Sequence, residues 1–322
     1  MKIFVTRKIP EPGLNLLSKE HEIEINPYDW VLTKKEIIEG LNGKHGLICL
    51  LTDKIDKEII NSNPNLKMIA NYAVGYNNID LKTATEKRIP VSNTPDVLTD
   101  TTAEMAWALL FSVARRIAKG DKFTRDKKFK GWAPMLMLGQ DVTGKTLGVV
   151  GTGRIGTSFA LKSQGFKMKV LYHDAKINKK LQKELGAEKV ELVNLLKESD
   201  FVSLHVPLTS KTRHLIGEKE LKIMKKTSIL INTSRGPVVD EKTLVKALKN
   251  NWIFGAGLDV YENEPEIEKK LLKLDNVILQ PHSASATFET RSKMAVMAAE
   301  NMLAGLRGEM PPNCVNPEVF DR

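Results

Sequence analysis

The chain has 322 residues and a formal charge of +10, from 49 Lys and Arg against 39 Asp and Glu; at roughly 150 residues per domain this is about two domains, not one small module. With 42% hydrophobic and 27% charged residues it can fill its own core, and two cysteines, Cys49 and Cys314, outside any CxxC or Cys/His cluster, argue against a disulfide framework or a metal site and for a reducing, cytoplasmic setting. No apolar run approaches the roughly 18 residues of a membrane span, the start MKIFVTRKIPEPG lacks the long apolar stretch of a secretory signal, and the excess lysines (Lys34, Lys57, Lys128, Lys179, Lys249) are scattered without an aromatic-interleaved stripe, so neither membrane nor nucleic acid is an expected partner.

Short β-type runs alternate with helical patterns from the start: Ile3 to Thr6 then Gly13 to Lys19, Gly46 to Leu50 then Lys54 to Asn61, and Leu66 to Ala70 then Asp80 to Lys87. Such alternation predicts a parallel α/β sheet. One long helix is expected from Asp100 to Gly120, with Thr101 and Glu104 as a capping box, Arg115, Arg116 and Lys119 in its last turn and Gly120 as its stop. After a polar and aromatic loop come six strand-like runs, Thr146 to Val150, Lys169 to His173, Phe201 to His205, Ser228 to Asn232, Phe254 to Leu258 and Asn276 to Gln280. Six parallel strands with crossovers are the content of a doubly wound dinucleotide-binding domain. A last helix, Phe288 to Leu306, is expected to cross back onto the first domain. The boundaries follow: 1–98 with 288–322, and 99–287.

Gly151-Thr-Gly153-Arg-Ile-Gly156 directly follows the first of those six strands and opens a helix expected to run to about Gln164, with Gly165 as its stop. The first glycine allows a tight turn, the second lets a pyrophosphate approach the backbone, the third lets helix and strand pack, and the helix N-terminus attracts the anion. The next strand ends in Asp174, 23 residues beyond Gly151, the spacing at which a carboxylate meets the adenosine ribose hydroxyls. A carboxylate there repels a 2′-phosphate, which predicts NAD(H) over NADP(H), although Lys176, Lys179 and Lys180 nearby soften the preference and a flavin uses the same kind of turn.

Ligands of open α/β sheets bind beyond the carboxyl ends of the strands, and three such turns carry reactive groups: Arg235 after Asn232, Glu264 after Leu258, and His282 after Gln280 and Pro281. A guanidinium holds a substrate carboxylate by two hydrogen bonds. An imidazole exchanges a proton with a carbonyl oxygen, and a neighbouring carboxylate favours its protonated form. His205 also ends a strand, and position along the chain does not separate it from His282.

The stretches GTGRIG, His205-Val-Pro-Leu-Thr, Asn232-Thr-Ser-Arg-Gly-Pro-Val-Val-Asp, Gly257-Leu-Asp-Val-Tyr-Glu-Asn-Glu-Pro and Pro281-His-Ser-Ala-Ser-Ala-Thr resemble, over essentially the whole chain, the D-isomer-specific 2-hydroxyacid dehydrogenases. Within that family, Asn71-Tyr-Ala-Val-Gly-Tyr-Asn-Asn-Ile-Asp and Asn93-Thr-Pro-Asp-Val-Leu-Thr-Asp-Thr-Thr-Ala-Glu resemble the glyoxylate and hydroxypyruvate reductase branch. The resemblance implies two doubly wound parallel-sheet α/β domains, a Rossmann NAD-binding domain and a smaller flavodoxin-like substrate domain, with the active site in the cleft between them. It implies that His282 is the acid/base residue, Glu264 its partner and Arg235 the substrate anchor, and that the backbone of Val74 and Gly75 meets the substrate carboxylate. On the cofactor side it implies Thr102, Gly151, Gly153, Arg154, Ile155, Gly156, Asp174, His205, Val206, Pro207, Thr233 and Asp259, the last bonded to the nicotinamide carboxamide. It also implies a homodimer paired through the NAD-binding domains. The expected reaction is NADH-dependent reduction of glyoxylate or hydroxypyruvate to the D-2-hydroxy acid. D-3-phosphoglycerate or D-lactate oxidation and a non-enzymatic dinucleotide sensor are the alternatives. Two departures stand out: Ser283-Ala284 where many relatives have Ile-Gly, and Leu136 where hydroxypyruvate-preferring relatives often have Trp.

Overall fold

In the computed structural model, which describes residues 1–321, the chain divides into two compact units: Met1–Leu98 together with the chain from Ala286 onward, and Thr99–Ser285. The first unit alternates β1 (Lys2–Val5), α1 (Glu11–Ser18), β2 (Glu22–Ile25), α2 (Lys34–Leu41), β3 (Gly46–Leu50), α3 (Lys57–Ser62), β4 (Met68–Tyr72), α4 (Leu81–Glu86) and β5 (Val91–Ser92). Its five strands are all parallel, in the order β2-β1-β3-β4-β5, the doubly wound flavodoxin-like order.

The second unit opens with α5 (Thr99–Ala114) and α6 (Ile117–Arg125), then runs through β6 (Thr146–Val150), α7 (Arg154–Leu161), β7 (Lys169–His173), α8 (Lys179–Leu185), β8 (Glu188–Lys189), α9 (Leu192–Glu198), β9 (Phe201–Leu204), α10 (Glu218–Ile223), β10 (Ile229–Asn232), α11 (Glu241–Lys249), β11 (Gly255–Leu258) and β12 (Val277–Leu279). The sheet is parallel throughout, ordered β12-β11-β10-β9-β6-β7-β8. Strand order therefore reverses between β6 and β9, where a doubly wound sheet opens its ligand crevice. Apolar runs such as LGVV in β6 and ILI in β10 are buried, as helices on both faces of a parallel sheet require. Trp107 of α5 anchors one face, its ring 4.9 Å from Phe159 and 5.2 Å from Phe166, and its indole N–H donates to the Phe159 carbonyl at 3.0 Å. Removing so large a buried ring costs about 3–5 kcal/mol. The chain then returns to the first unit as α12 (Phe288–Leu306), which packs on α1 and β4.

Four expectations need correction. The single helix over 100–120 is two: it starts at Thr99, so Thr101 lies inside its first turn, and it breaks at Arg116, which is left-handed at φ +53°. The cause is tertiary. The segment at Gly139–Gln140 comes back against the helix end, where the Gln140 N–H takes the Ala114 carbonyl at 2.8 Å, while the Arg116 guanidinium donates to the Leu138 carbonyl at 2.6 Å and lies over the Phe254 ring. Gly120 lies within α6 and stops nothing. Likewise α7 tightens to a 3-10 turn over Lys162–Phe166 and ends on left-handed Lys167, not at Gly165. Finally, the second sheet has seven strands, not six: the two-residue edge strand β8 is too short and too polar to carry a periodic signal.

Candidate active site

The turn after β6 is shaped by its glycines. Gly151 is at φ +89°, and a Cβ there would sit 2.8 Å from Val206 Cγ1 and 2.9 Å from the His205 carbonyl carbon. At Gly156 a Cβ would collide with the Gly151 carbonyl oxygen, whereas at Gly153, the residue before α7, it would meet nothing within 4 Å. A tight turn, close helix packing and an open backbone face above a helix N-terminus are the three things a pyrophosphate site needs. Arg154 and Ile155 form the first turn of α7.

Asp174, just past β7, turns back onto this turn. One carboxylate oxygen accepts the Thr152 N–H at 2.6 Å and its hydroxyl at 3.1 Å; the other accepts the Lys176 N–H at 3.1 Å. Burial pushes this carboxyl up, but the backbone N–H groups of Thr152 and Lys176 outweigh it and hold it below the usual range. Sequence reasoning missed Thr152 and Asn178. The Asn178 amide donates to the Thr152 carbonyl at 3.1 Å, and its position just before α8 as an N-cap was the available signal.

His205 follows β9, beside the phosphate turn. Its Nε2 is 2.9 Å from Ser203 Oγ and its ring lies 5.0 Å from that of Phe159. Burial drives its pKa down to about 3, so this imidazole is neutral near pH 7 and cannot hold a proton for transfer. Val206 touches Gly151, Pro207 is exposed with its carbonyl taken by Thr212, and Thr102 is buried near the start of α5, the helix packed on α7. Thr233, after β10, is buried with a hydroxyl that has no partner among the described residues. An orphaned hydroxyl, an open glycine backbone and a helix N-terminus fit a dinucleotide.

The turn after β10 carries Arg235. Asn232 sets it up: its side-chain oxygen accepts the Ser234 N–H at 3.0 Å and hydroxyl at 2.8 Å, and its amide donates to the Arg235 carbonyl at 3.0 Å, a local Asx turn. At Gly236 a Cβ would overlap the Tyr261 carbonyl, so only glycine lets the 261–262 segment pass this close. The guanidinium donates once, to the Ser234 carbonyl at 2.7 Å, and the rest of its fork has no hydrogen-bond partner among the described residues. Burial lowers its pKa, opposed by the charge of Glu264. A half-buried cation with spare donors is an anion site.

Glu264 accepts the Tyr261 N–H at 2.9 Å on one oxygen and meets His282 Nδ1 at 2.8 Å with the other. Burial raises its pKa, but the hydrogen bond and charge of His282, the Tyr261 N–H and the charge of Arg235 prevail and hold it below the usual range. The Tyr261 hydroxyl donates to the Gln280 carbonyl at 2.8 Å, tying the Glu264 loop to the His282 turn. With Nδ1 on the carboxylate, Nε2 is the nitrogen left to face a substrate.

His282 is left-handed at φ +53°, a conformation that costs a non-glycine residue about 1 kcal/mol or more and needs support. Asp259 supplies it: fully buried, its two oxygens accept the Ser283 N–H at 2.8 Å and the Ala284 N–H at 2.9 Å. Burial pushes this carboxyl above its usual value, partly offset by those two N–H groups. The departure at Ser283-Ala284 thus leaves the contact to Asp259 intact, because backbone makes it; the Ser283 hydroxyl adds a contact to Gln280 at 3.3 Å, and Ala284 is buried. Val74 and Gly75 belong to the first unit, half-buried in the turn after β4. Among the described residues no group of His, Cys, Asp and Glu is placed to hold a metal, and no helix is long and apolar enough to cross a membrane.

The chain matches known proteins over nearly its whole length. Residues 107–284 match the family model for the D-isomer specific 2-hydroxyacid dehydrogenase, NAD binding domain. The chain is 54% identical to a glyoxylate reductase of Korarchaeum cryptofilum over 99% of this chain and 96% of that one, and 49% identical to a glyoxylate reductase of Pyrococcus furiosus over 99% and 96%. Among solved structures it is similar to an NADPH-dependent glyoxylate/hydroxypyruvate reductase from Sinorhizobium meliloti in complex with NADP and malonate, with a TM-score of 0.88 at 30% identity over 100% of this chain and 98% of that one.

Proposed function

The chain belongs to the D-isomer-specific 2-hydroxyacid dehydrogenase family and is an oxidoreductase that reduces a 2-keto acid to a 2-hydroxy acid with a nicotinamide dinucleotide; from that premise we propose that its substrates are glyoxylate and hydroxypyruvate, its products glycolate and D-glycerate, and its preferred cofactor NADH. The observation that carries the chemistry is the Glu264–His282 pair at 2.8 Å in the turns beside the spare donors of Arg235.

When bound, the reduced nicotinamide supplies the hydride, and Gly151, Gly153, Arg154, Ile155, Gly156, Thr102, His205, Val206, Pro207 and Thr233 are the residues assigned to hold the dinucleotide. Arg235 grips the substrate carboxylate and draws electron density toward the carbonyl oxygen. His282 gives that oxygen a proton from Nε2, and Glu264 steadies the imidazolium until it does. The backbone amides of Val74 and Gly75 take the same carboxylate on the family resemblance. Asp259 holds the His282 turn; its assignment to the carboxamide is a further part of the proposal. Oxidation of NADH measured over glyoxylate, hydroxypyruvate and pyruvate tests the reading, and turnover of pyruvate alone overturns the substrate assignment.

Asp174 is the basis for preferring NADH: a carboxylate at this spacing, held below its usual pKa and fastened to Thr152, supports the reading because it would repel a 2′-phosphate. Asp174→Ala is expected to narrow the ratio of kcat/KM for NADH over NADPH by about tenfold or more; a wild type faster with NADPH refutes it. The similar Sinorhizobium meliloti enzyme, which binds NADP, makes this comparison decisive.

For the homodimer, supporting evidence lies in one segment between α6 and β6, where Phe129, Trp132, Met135 and Leu138 are all more than half exposed. Apolar groups so concentrated are a surface that pairing covers. Light scattering with Trp132→Ser checks it, a dimeric variant indistinguishable from wild type counting against this face. A cytoplasmic location fits the unpaired Cys49 and Cys314.

A further inference from the structure

The turn after β4 is held by an unusual concentration of asparagines. The Asn93 amide donates to the Val74 carbonyl at 2.7 Å, the buried Asn71 amide donates to the Gly75 carbonyl at 2.8 Å, and the Thr94 N–H donates to the Ala73 carbonyl at 2.8 Å. Asn78, 3.2 Å from Asn71, donates onward to the carbonyls of Leu50 at 3.0 Å and Asp53 at 3.1 Å, which roots the turn in the loop after β3. The backbone of Asn93 is itself anchored, for fully buried Asn301 of α12 donates to the Asn93 carbonyl at 3.3 Å. Three successive carbonyls, of Ala73, Val74 and Gly75, are therefore each fixed by a donor from elsewhere in the unit.

In a trans peptide the C=O of one residue and the N–H of the next point in opposite directions. Fixing the Ala73 carbonyl on Thr94 thus aims the Val74 N–H away from Thr94, and fixing the Val74 carbonyl on Asn93 aims the Gly75 N–H away from Asn93. Neither N–H has a hydrogen-bond partner among the described residues, and both residues are half-buried. A backbone whose acceptors are consumed and whose donors are spare is polarised toward an anion.

We propose that Asn93, supported by Asn71 and Asn301, is a positioning residue for substrate: it orients the peptide plane whose Gly75 N–H receives the carboxylate of the 2-keto acid. The inference rests on the assignment of the Val74 and Gly75 amides to that carboxylate. Asn93 touches no reacting atom. Its loss frees the 74–75 peptide to rotate and affects substrate capture, not hydride transfer once the substrate is held.

Steady-state kinetics of the full-length Asn93→Ala enzyme with glyoxylate and NADH test this. The KM for glyoxylate is expected to rise about tenfold or more, the size of one charge-assisted hydrogen bond, with the KM for NADH and the kcat at saturating glyoxylate within about twofold of wild type. Asn93→Ser, with a shorter donor, is expected to fall between the two and serves if the alanine variant does not fold. In parallel, wild-type protein labelled with [15N]glycine and loaded with NADH is titrated with oxalate, and the Gly75 amide resonance is expected to move. If Gly75 moves but KM for glyoxylate is unchanged in the Asn93 variants, the positioning role is overturned and the carboxylate assignment stands. If Gly75 does not move, the carboxylate assignment fails and the positioning role with it.

Discussion

The turns after β9 and β12 each present a histidine at the carboxyl edge of the same sheet, and they are built in opposite ways. At His205 the backbone simply continues the ladder, its N–H on the Val150 carbonyl at 2.8 Å, and the ring settles against Phe159 with its Nε2 on the Ser203 hydroxyl. At His282 the backbone is forced left-handed, held there by Asp259, and the ring is met by the Glu264 carboxylate. Burial keeps the His205 imidazole neutral; at His282 the carboxylate takes Nδ1 and leaves Nε2 free of it. A strand end supplies only the place; burial and the partner of the ring nitrogen separate the two histidines.

The sharpest way to break this contrast is to remove each ring. His282→Gln is expected to lower kcat by about 10² to 10⁴, the usual worth of a positioned general acid, with the dissociation constant for NADH, followed by fluorescence, unchanged. An equal loss of kcat in His205→Gln would erase the distinction between the two turns. Next in size, Asp259→Asn puts an amide NH₂ where two backbone N–H groups now find acceptors, and should cost about 1–3 kcal/mol of stability in urea unfolding, together with activity, as the His282 turn loosens. A variant as stable and active as wild type would show that the turn holds itself.

Two further effects appear only against pH. Because burial holds His205 at about 3 against an ordinary 6.5, the unfolded chain binds a proton here that the folded one refuses. Stability is complete above about pH 6.5 and declines as pH falls toward 3, by up to about 1.4 kcal/mol per pH unit from this group; His205→Asn should flatten that slope. Glu264 runs by a different rule. Its carboxyl sits below its ordinary 4.5, so the stability it contributes is present above that value and lost as pH falls through the lowered one. The gap in unfolding free energy between wild type and Glu264→Gln should close as the solution is made more acid than about pH 4.5; a gap that widens there contradicts the pairing with His282.

What could be read without coordinates is what local chemistry dictates. Apolar runs bounded by turn residues are strands because pairing in a sheet buries them, and Gly151 and Gly156 stand where a turn and a packed helix exclude a side chain, with Gly153 on the open face between them. Arg235, Glu264 and His282 could be picked out one by one, because a strand end is where a parallel sheet exposes chemistry. Beyond local rules lay whatever depends on distant chain. The helix break at Arg116 is set by Gly139–Gln140 folding back on the Ala114 carbonyl. The difference between His205 and His282 is set by Phe159 and Glu264, and the support for His282 by a carboxylate 23 residues earlier. Sequence spacing settles which residues lie at the edge of a sheet, since backbone hydrogen bonding repeats along the chain; which of them carries a proton depends on burial and on neighbours brought in from elsewhere, and only the folded chain brings them.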